Sequence, residues 1–237
     1  MTLQQENMEQ HIVKAAISLV TKGTPEDWNR YYRSVHFRTL LQDKYLDALH
    51  MDFEYQDRKK MYQCVNDRFI GKAPIDYCEF GVAGGHSFKD WIELNPHPES
   101  RFFGFDSFEG LPEDWQTNTL KGAFSTKGRI PATGDPRETF IVGLFQDTVA
   151  EFSRNFTRKN RLVLHMDADL YSSTLYCLMN FDQHITPGTI ILFDEFTARN
   201  FTDEFAALQD YCAACYRDYT VIVTRNDYVK LAIEITK

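Results

Sequence analysis

No stretch of this chain approaches the ~18 consecutive apolar residues that a membrane-spanning helix requires, so no transmembrane segment is expected. The amino terminus, MTLQQENMEQHIVKAAISLV, is polar before it is apolar and lacks a basic leading region, which reads against a secretory signal. Positive charge is in deficit: 26 Lys and Arg face 34 Asp and Glu, for a formal charge of −8. Nucleic acid and anionic membranes both need a basic footprint, so neither is expected as a partner. The densest basic cluster, Arg58-Lys59-Lys60, adjoins Asp57 and reads as a solvated helix face. Cysteines number five, an odd count without the framework of a secreted scaffold, so reduced thiols in a cytoplasm are expected. Cys212-Ala-Ala-Cys215 has no second pair and no nearby histidine, and reads as packing rather than as a zinc or redox site.

What is present suits one sizeable α/β domain with an extension. The chain has 237 residues, and its 14% aromatic content is far too high for disorder. Residues 8–70 are predicted helical: Phe37, Leu40, Leu41, Ala48 and Leu49 recur at helical spacing, and 26–70 contain neither Gly nor Pro. From Pro74 onward short apolar runs alternate with helical ones. Strands are predicted at 75–80, 102–105, 140–143, 162–166, 189–193, 220–224 and 228–235. The division is therefore a helical amino-terminal extension or lid, 1–70, and an α/β unit, 71–237, with a mostly parallel seven-stranded sheet and helices on both faces. Only Arg225-Asn226-Asp227 separates the last two strands, too few residues for a parallel crossover, so they form an antiparallel hairpin. Residues 111–139 make a long polar loop with three prolines and three glycines, expected to be a substrate lid. Exposed aromatics such as Tyr31, Tyr32 and Phe37 are candidates for an interface between copies of the chain.

Four acids end apolar strand-like runs: Glu79, Asp106, Asp167 and Asp194. In a sheet wound by right-handed crossovers the carboxyl ends of the parallel strands share one edge, so these acids converge on one ligand crevice. Around the first, Glu79-Phe-Gly81-Val-Ala-Gly84-Gly85-His-Ser87 reads as a strand-to-helix turn where missing Cβ atoms admit a ligand, with Ser87 as a cap. Ala83 stands where a dinucleotide fingerprint starting at Gly81 would need glycine; acid-x-Gly-x-x-x-Gly fits better. Asp106 lies 106 − 85 = 21 positions past the last glycine, the place of a carboxylate that accepts hydrogen bonds from ribose hydroxyls, with Ser107 beside it. Phe145 and Gln146 follow the next strand and are candidates to line an adenine. Asp167, Asp194 and Glu195 form a carboxylate cluster that needs a divalent cation, basic partners or a raised pKa; such a set of hard oxygens suits Mg²⁺. His165, on the same strand face as Asp167, is a candidate general base.

EFGVAGGHSF, FFGFDSFEGLPEDW, HMDADLYSST and PGTIILFDEF together resemble the macrocin O-methyltransferase family (TylF-type) of class I S-adenosylmethionine-dependent enzymes, over roughly residues 75–235. The resemblance implies a Rossmann-like fold whose sheet ends in an antiparallel hairpin strand. It also implies an activity, methylation of a hydroxyl on a small molecule such as a sugar or glycosylated natural product, using S-adenosylmethionine and Mg²⁺. It places the glycine turn (Gly81, Gly85) and Asp106 at the cofactor site, where Glu79, Ser87 and Ser107 are further candidates, and Asp167, Asp194 and Glu195 at the metal, with the Asp167 carboxylate also a candidate base. Glu195 stands where the macrocin pattern carries a second aspartate. Two rivals remain: a nicotinamide-dependent oxidoreductase, and an inactive module that binds the cofactor without turnover.

Overall fold

The computed structural model describes residue 18 and residues 20–237, so most of the first part of the expected helical extension, residues 1–17 and 19, lies outside the described residues. Helix α1 (Pro25–Leu40) starts where its sequence says it should. Thr24 accepts from the Asp27 N–H, the Asp27 carboxylate answers the Thr24 N–H, and Pro25 sits in the first turn, where its missing N–H costs nothing. The helix widens into a π turn, Leu41–Tyr45, and then stops being helical. Strand β1 (Leu49–Met51) follows, a departure from the helix expected over 8–70. Its three residues also fit a helical face, and only parallel pairing with β7 (Tyr219–Arg225) decides the matter. The amino-terminal segment is thus stitched into the sheet rather than resting on it.

Helix α2 (Lys59–Val65) leads to the main α/β alternation. The order is β2 (Ile75–Phe80), α3 (His86–Leu94), β3 (Arg101–Asp106), β4 (Glu138–Val142), α4 (Phe145–Asn155), β5 (Arg161–Met166), α5 (Tyr171–Phe181), β6 (Ile190–Phe193), α6 (Glu204–Cys215), β7 and β8 (Leu231–Ile235). The sheet has eight strands in the order β1-β7-β8-β6-β5-β2-β3-β4. The seven predicted strands are all present with ends shifted by up to three residues, and β1 is the addition. Strand β8 lies between β6 and β7 and runs antiparallel to both; the five residues 226–230 that join it to β7 are too few for a parallel crossover.

Strands β2 and β6 are buried at every residue and β5 at all but its first, because helices cover both faces of the sheet; this is why they read as unbroken apolar runs. One core holds Phe80, Phe105, Leu164, Phe181 and Phe193; the other, across the sheet, holds Tyr77, Trp91, Phe102, Val163 and Leu192. Strand β2 pairs with β3 on one side and β5 on the other. Chain connections therefore leave the centre in opposite directions, and the loops after β2 and β5 part to open a crevice at this switch point. Residues 111–137 carry no helix or strand; only an isolated bridge joins Gln116 and Thr119. Trp115 is nonetheless buried, its indole N–H donating to Asp203 at 3.0 Å.

Candidate active site

The crevice holds a cavity of about 750 Å³ at the carboxyl ends of β2, β3, β4, β5 and β6. Its walls include Gly81 and Ala83 after β2, Asp106 and Ser107 after β3, Gly143 to Gln146 after β4, Asp167 to Asp169 after β5, and Asp194 with Glu195 after β6. Leu111, Pro112, Trp115 and Phe124 from the long loop form another wall.

The glycine turn is fixed by close approach. Gly81 has φ +95°, and a Cβ there would sit 1.8 Å from the Asp167 carbonyl oxygen. Gly85, at φ +77°, caps α3, and its Cβ would fall 2.7 Å from Pro131 of the long loop. Asp106 braces this turn: its Oδ2 accepts from the Val82 and Ala83 N–H groups at 2.8 and 2.7 Å, and its Oδ1 from the Phe108 N–H at 2.7 Å. Both Oδ2 lone pairs are thereby engaged, and Oδ1 keeps one for a ligand hydroxyl. Asp106, Ser107, Gly81, Phe145 and Gln146 all line the cavity; Gly85 stands just behind it.

Two residues expected at the cofactor lie elsewhere. Glu79 is fully buried beneath the turn, where it accepts from Ser87 Oγ at 2.6 Å and from the Tyr77 hydroxyl. Ser87 is inside α3 rather than at its cap, and its hydroxyl is spent on Glu79. Successive strand residues face opposite ways, so an acid one turn before the glycines points into a core. His165 shares that core. It is fully buried, with Nδ1 2.8 Å from the Tyr77 hydroxyl and Nε2 3.5 Å from that of Tyr62. Burial alone would lower its pKa, but the Asp194 and Glu79 carboxylates outweigh it and raise the imidazole to about 9. Enclosed in the core and absent from the cavity wall, it lacks the access that a general base needs.

Asp167 and Asp194 do converge, and between them lies a residue that the sequence left on a solvated face. Arg58, at the start of α2, directs one nitrogen, Nη1, at Asp167 Oδ2 (2.9 Å) and Asp194 Oδ2 (2.8 Å). Lys59 and Lys60 do face solvent, pairing with Asp90, Glu93 and Asp57. Lys230, completely buried, donates to Asp194 Oδ2 at 2.6 Å and lies 3.8 Å above the Tyr55 ring. The antiparallel register puts Phe193 opposite Leu231, which brings the preceding Lys230 beside Asp194. Burial pushes both aspartates up, but the Asp194 carboxyl is held well below its usual range by His165, Arg58 and Lys230, while Asp167 is raised.

Asp169 completes the cluster, at the centre of a three-residue turn closed by the Leu170 N–H on the Ala168 carbonyl, with φ +59°. A non-glycine residue held in this region is strained, and such strain gathers at functional sites. Its carboxyl lines the cavity and makes no hydrogen bond with the described residues. Burial, reinforced by Asp167, Asp194 and Asp203, raises it to about 8. Glu195 lines the cavity too, its carboxyl raised by burial, and its N–H donates to Glu204 at 2.9 Å.

A divalent ion was the expected companion of these acids. Among the described residues, the groups close enough to share one ion are His165, Asp167 and Asp194, without Glu195. The His165 ring is enclosed and hydrogen-bonded to Tyr77, and the facing oxygens of both aspartates already accept from Arg58 or Lys230. As arranged, the donor set does not fit Mg²⁺.

Comparison with known proteins agrees with the resemblance seen in the sequence. The family model described as Macrocin-O-methyltransferase (TylF) matches residues 132–217, the stretch holding β4 to α6 and the acids Asp167, Asp169, Asp194 and Glu195. No curated protein matches. Among solved structures, CalS11, a calicheamicin methyltransferase, superposes with a TM-score of 0.58 at 17% identity over 89% of this chain and 93% of that one. The O-methyltransferase NovP gives 0.56 at 20% identity, over 88% of this chain and 100% of NovP. An apo structure of CalS11, described as a TDP-rhamnose 3'-O-methyltransferase, gives 0.54 at 18% identity. These likenesses establish the class I methyltransferase fold.

Proposed function

We infer that this chain, a methyltransferase of the macrocin O-methyltransferase type, transfers the methyl group of S-adenosylmethionine to a hydroxyl of a small molecule. The observation that carries the reading is a single cavity. It joins the glycine turn, the Asp106 carboxylate and the Phe145–Gln146 wall at one end to the Asp167–Asp169–Asp194 cluster at the other. The first end suits a nucleoside: glycines allow close approach, Asp106 Oδ1 has a lone pair for a ribose hydroxyl, and the Phe145 ring offers an apolar face. Bound there, S-adenosylmethionine supplies an electrophilic methyl group on a sulfonium cation.

The remaining chemistry belongs to this chain's side chains. Asp169 is the proton acceptor that the geometry favours, because it lines the cavity uncommitted while Asp167 is held by Arg58 and His165 is enclosed; with its carboxyl raised to about 8, the ionised form that accepts the proton grows as pH rises through that value. As the substrate oxygen attacks the methyl carbon, its proton passes to Asp169 and the bonding pair of the broken carbon–sulfur bond stays on sulfur. Trp115, Phe124 and the rest of the 111–139 loop cover the cavity as a lid and exclude water. A sugar hydroxyl is the substrate class in keeping with the activity that the CalS11 description names. The five free thiols suit a reducing compartment, the cytoplasm.

Calorimetric titration with S-adenosylhomocysteine tests the reading. Binding in the micromolar range or tighter is expected, as is its loss in Asp106→Ala. A folded protein that does not bind it would overturn the proposal.

A further inference from the structure

Where a divalent ion would be expected among the carboxylates, the chain has placed two cations of its own. Asp194 Oδ2 accepts from Lys230 Nζ at 2.6 Å and from Arg58 Nη1 at 2.8 Å, which uses both lone pairs in strong charge-assisted bonds. Its other oxygen is buried without a hydrogen-bond partner, 3.9 Å from the enclosed His165 ring. Asp167 Oδ2 accepts from the same Arg58 nitrogen at 2.9 Å. Arg58 Nη1 therefore sits between the two facing carboxylate oxygens, where an ion shared by Asp167 and Asp194 would lie.

Lys230 is fully buried, a second hydrogen bond ties its ammonium to the Asp194 carbonyl at 3.2 Å, and the Tyr55 ring closes over it at 3.8 Å. The register of β6 and β8 fixes its Cα, so the ammonium is as much a part of the sheet as the aspartate it meets. The backbone of Arg58 is anchored as well, its carbonyl accepting from the Met61 and Tyr62 N–H groups at the start of α2. Glu195, which would be the third oxygen ligand, does not come within reach of an ion shared by Asp167 and Asp194.

We propose that this site works without a divalent cation, the Arg58 guanidinium and the Lys230 ammonium holding the carboxylate oxygens to which such an ion would bind. The proposal rests on the methyltransferase reading and adds how that site is charged. What a metal would give, positive charge beside the substrate oxygen, comes from Arg58, which lines the cavity and has N–H groups besides those of Nη1. Asp167 then acts as a positioning residue, aiming the guanidinium.

The test uses the whole chain saturated with S-adenosylhomocysteine and titrated calorimetrically with Mn²⁺ and with Mg²⁺. No saturable binding is expected up to about 1 mM of either ion; stoichiometric binding with a Kd below about 100 μM overturns the proposal. Arg58→Ala removes the bridging cation while leaving both aspartates. In a variant that still binds S-adenosylhomocysteine, a gain of at least about tenfold in Mn²⁺ affinity is expected, and no gain overturns the claim that Arg58 excludes the ion. Should the wild type fail to bind S-adenosylhomocysteine, the functional reading falls, and the Mn²⁺ titration of the free protein still decides the charge of the cluster.

Discussion

Asp169 is the residue on which the proposed chemistry turns. In the sequence it stands three residues after the end of β5, with nothing local to single it out. Its strained turn, its lack of a protein partner and its position in the cavity wall exist only once β5 is packed beside β2 and β6. Asp169→Asn keeps the size of the side chain and removes the proton acceptor. Turnover should fall by about 10²- to 10⁴-fold with any substrate the wild type methylates. The affinity for S-adenosylhomocysteine should stay within about threefold, since Asp169 follows β5 and Asp106 follows β3, with β2 between them. Equal loss of both quantities would assign Asp169 to structure instead. Arg58 gives the complementary lesson. Flanked by Asp57, Lys59 and Lys60 it reads as one more surface charge, and no local signal marks a partner 109 or 136 positions away. Lys230 was foreseeable in principle, because hairpin register sets it opposite the end of β6, but only after the order β6-β8 is known.

At the scale of the element, strand β2 shows how buried polar groups fix a sheet. Asp76, fully buried at its start, takes a fork from Arg101 at 2.9 and 2.7 Å and the N–H groups of Lys159 and Asn160 at 2.6 and 3.0 Å. One carboxylate thus ties β2 to β3 and to the turn that opens β5. Burial raises its pKa, yet Arg101 and the backbone N–H groups outweigh this and leave it lowered from 3.8. A group whose pKa is depressed in the folded state stabilises fully above its unfolded value and loses that contribution as pH falls through the folded one. Asp76→Asn, which leaves Arg101 half-buried without its partner, should therefore cost about 3–5 kcal/mol at neutral pH. The gap between wild type and variant should be constant above the ordinary 3.8 and close below it, as denaturant melts across that range would show. Elements of this kind were legible from apolar runs alone. Strand β1 was not: three residues with helical spacing on either side contain too little pattern, and the pairing with β7 supplies what the sequence lacks.

Across the whole molecule, the question is how the amino-terminal segment is held to the α/β unit. Beyond the strand β1, one aromatic cluster does most of it. Phe37 on α1, expected among exposed aromatics, is buried: its ring lies 4.9 Å from Tyr45, 4.7 Å from Phe201, 5.6 Å from Phe205 and 5.5 Å from Tyr228. Tyr31 and Tyr32 on the same helix do face solvent, at 53% and 59% exposure. Phe37→Ala should cost about 3–5 kcal/mol. Because the cluster joins α1 to the segment after β6 and to the β7–β8 turn, a single cooperative transition at lower Tm is expected by calorimetry; a separate early transition for α1 would show that it folds apart. Among the described residues no helix is long and apolar enough to cross a membrane.

Sequence by itself determined the alternation of strands and helices, the closing hairpin, the glycine turn and the set of acids at strand ends. Each of these is written in neighbouring residues: period, turn chemistry and spacing act over a few positions, and parallel sheet topology follows from their order. Tertiary structure alone decided which acids reach the cavity and which, like Glu79, turn into the core, since one residue of strand parity separates the two outcomes. It also decided what neutralises them. Ligand oxygens can be counted along a chain, but the guanidinium and ammonium that reach them first come from residues 109 and 36 positions distant, brought there by the sheet. Charge compensation in a buried site is a property of distances in space, and the chain specifies those only when folded.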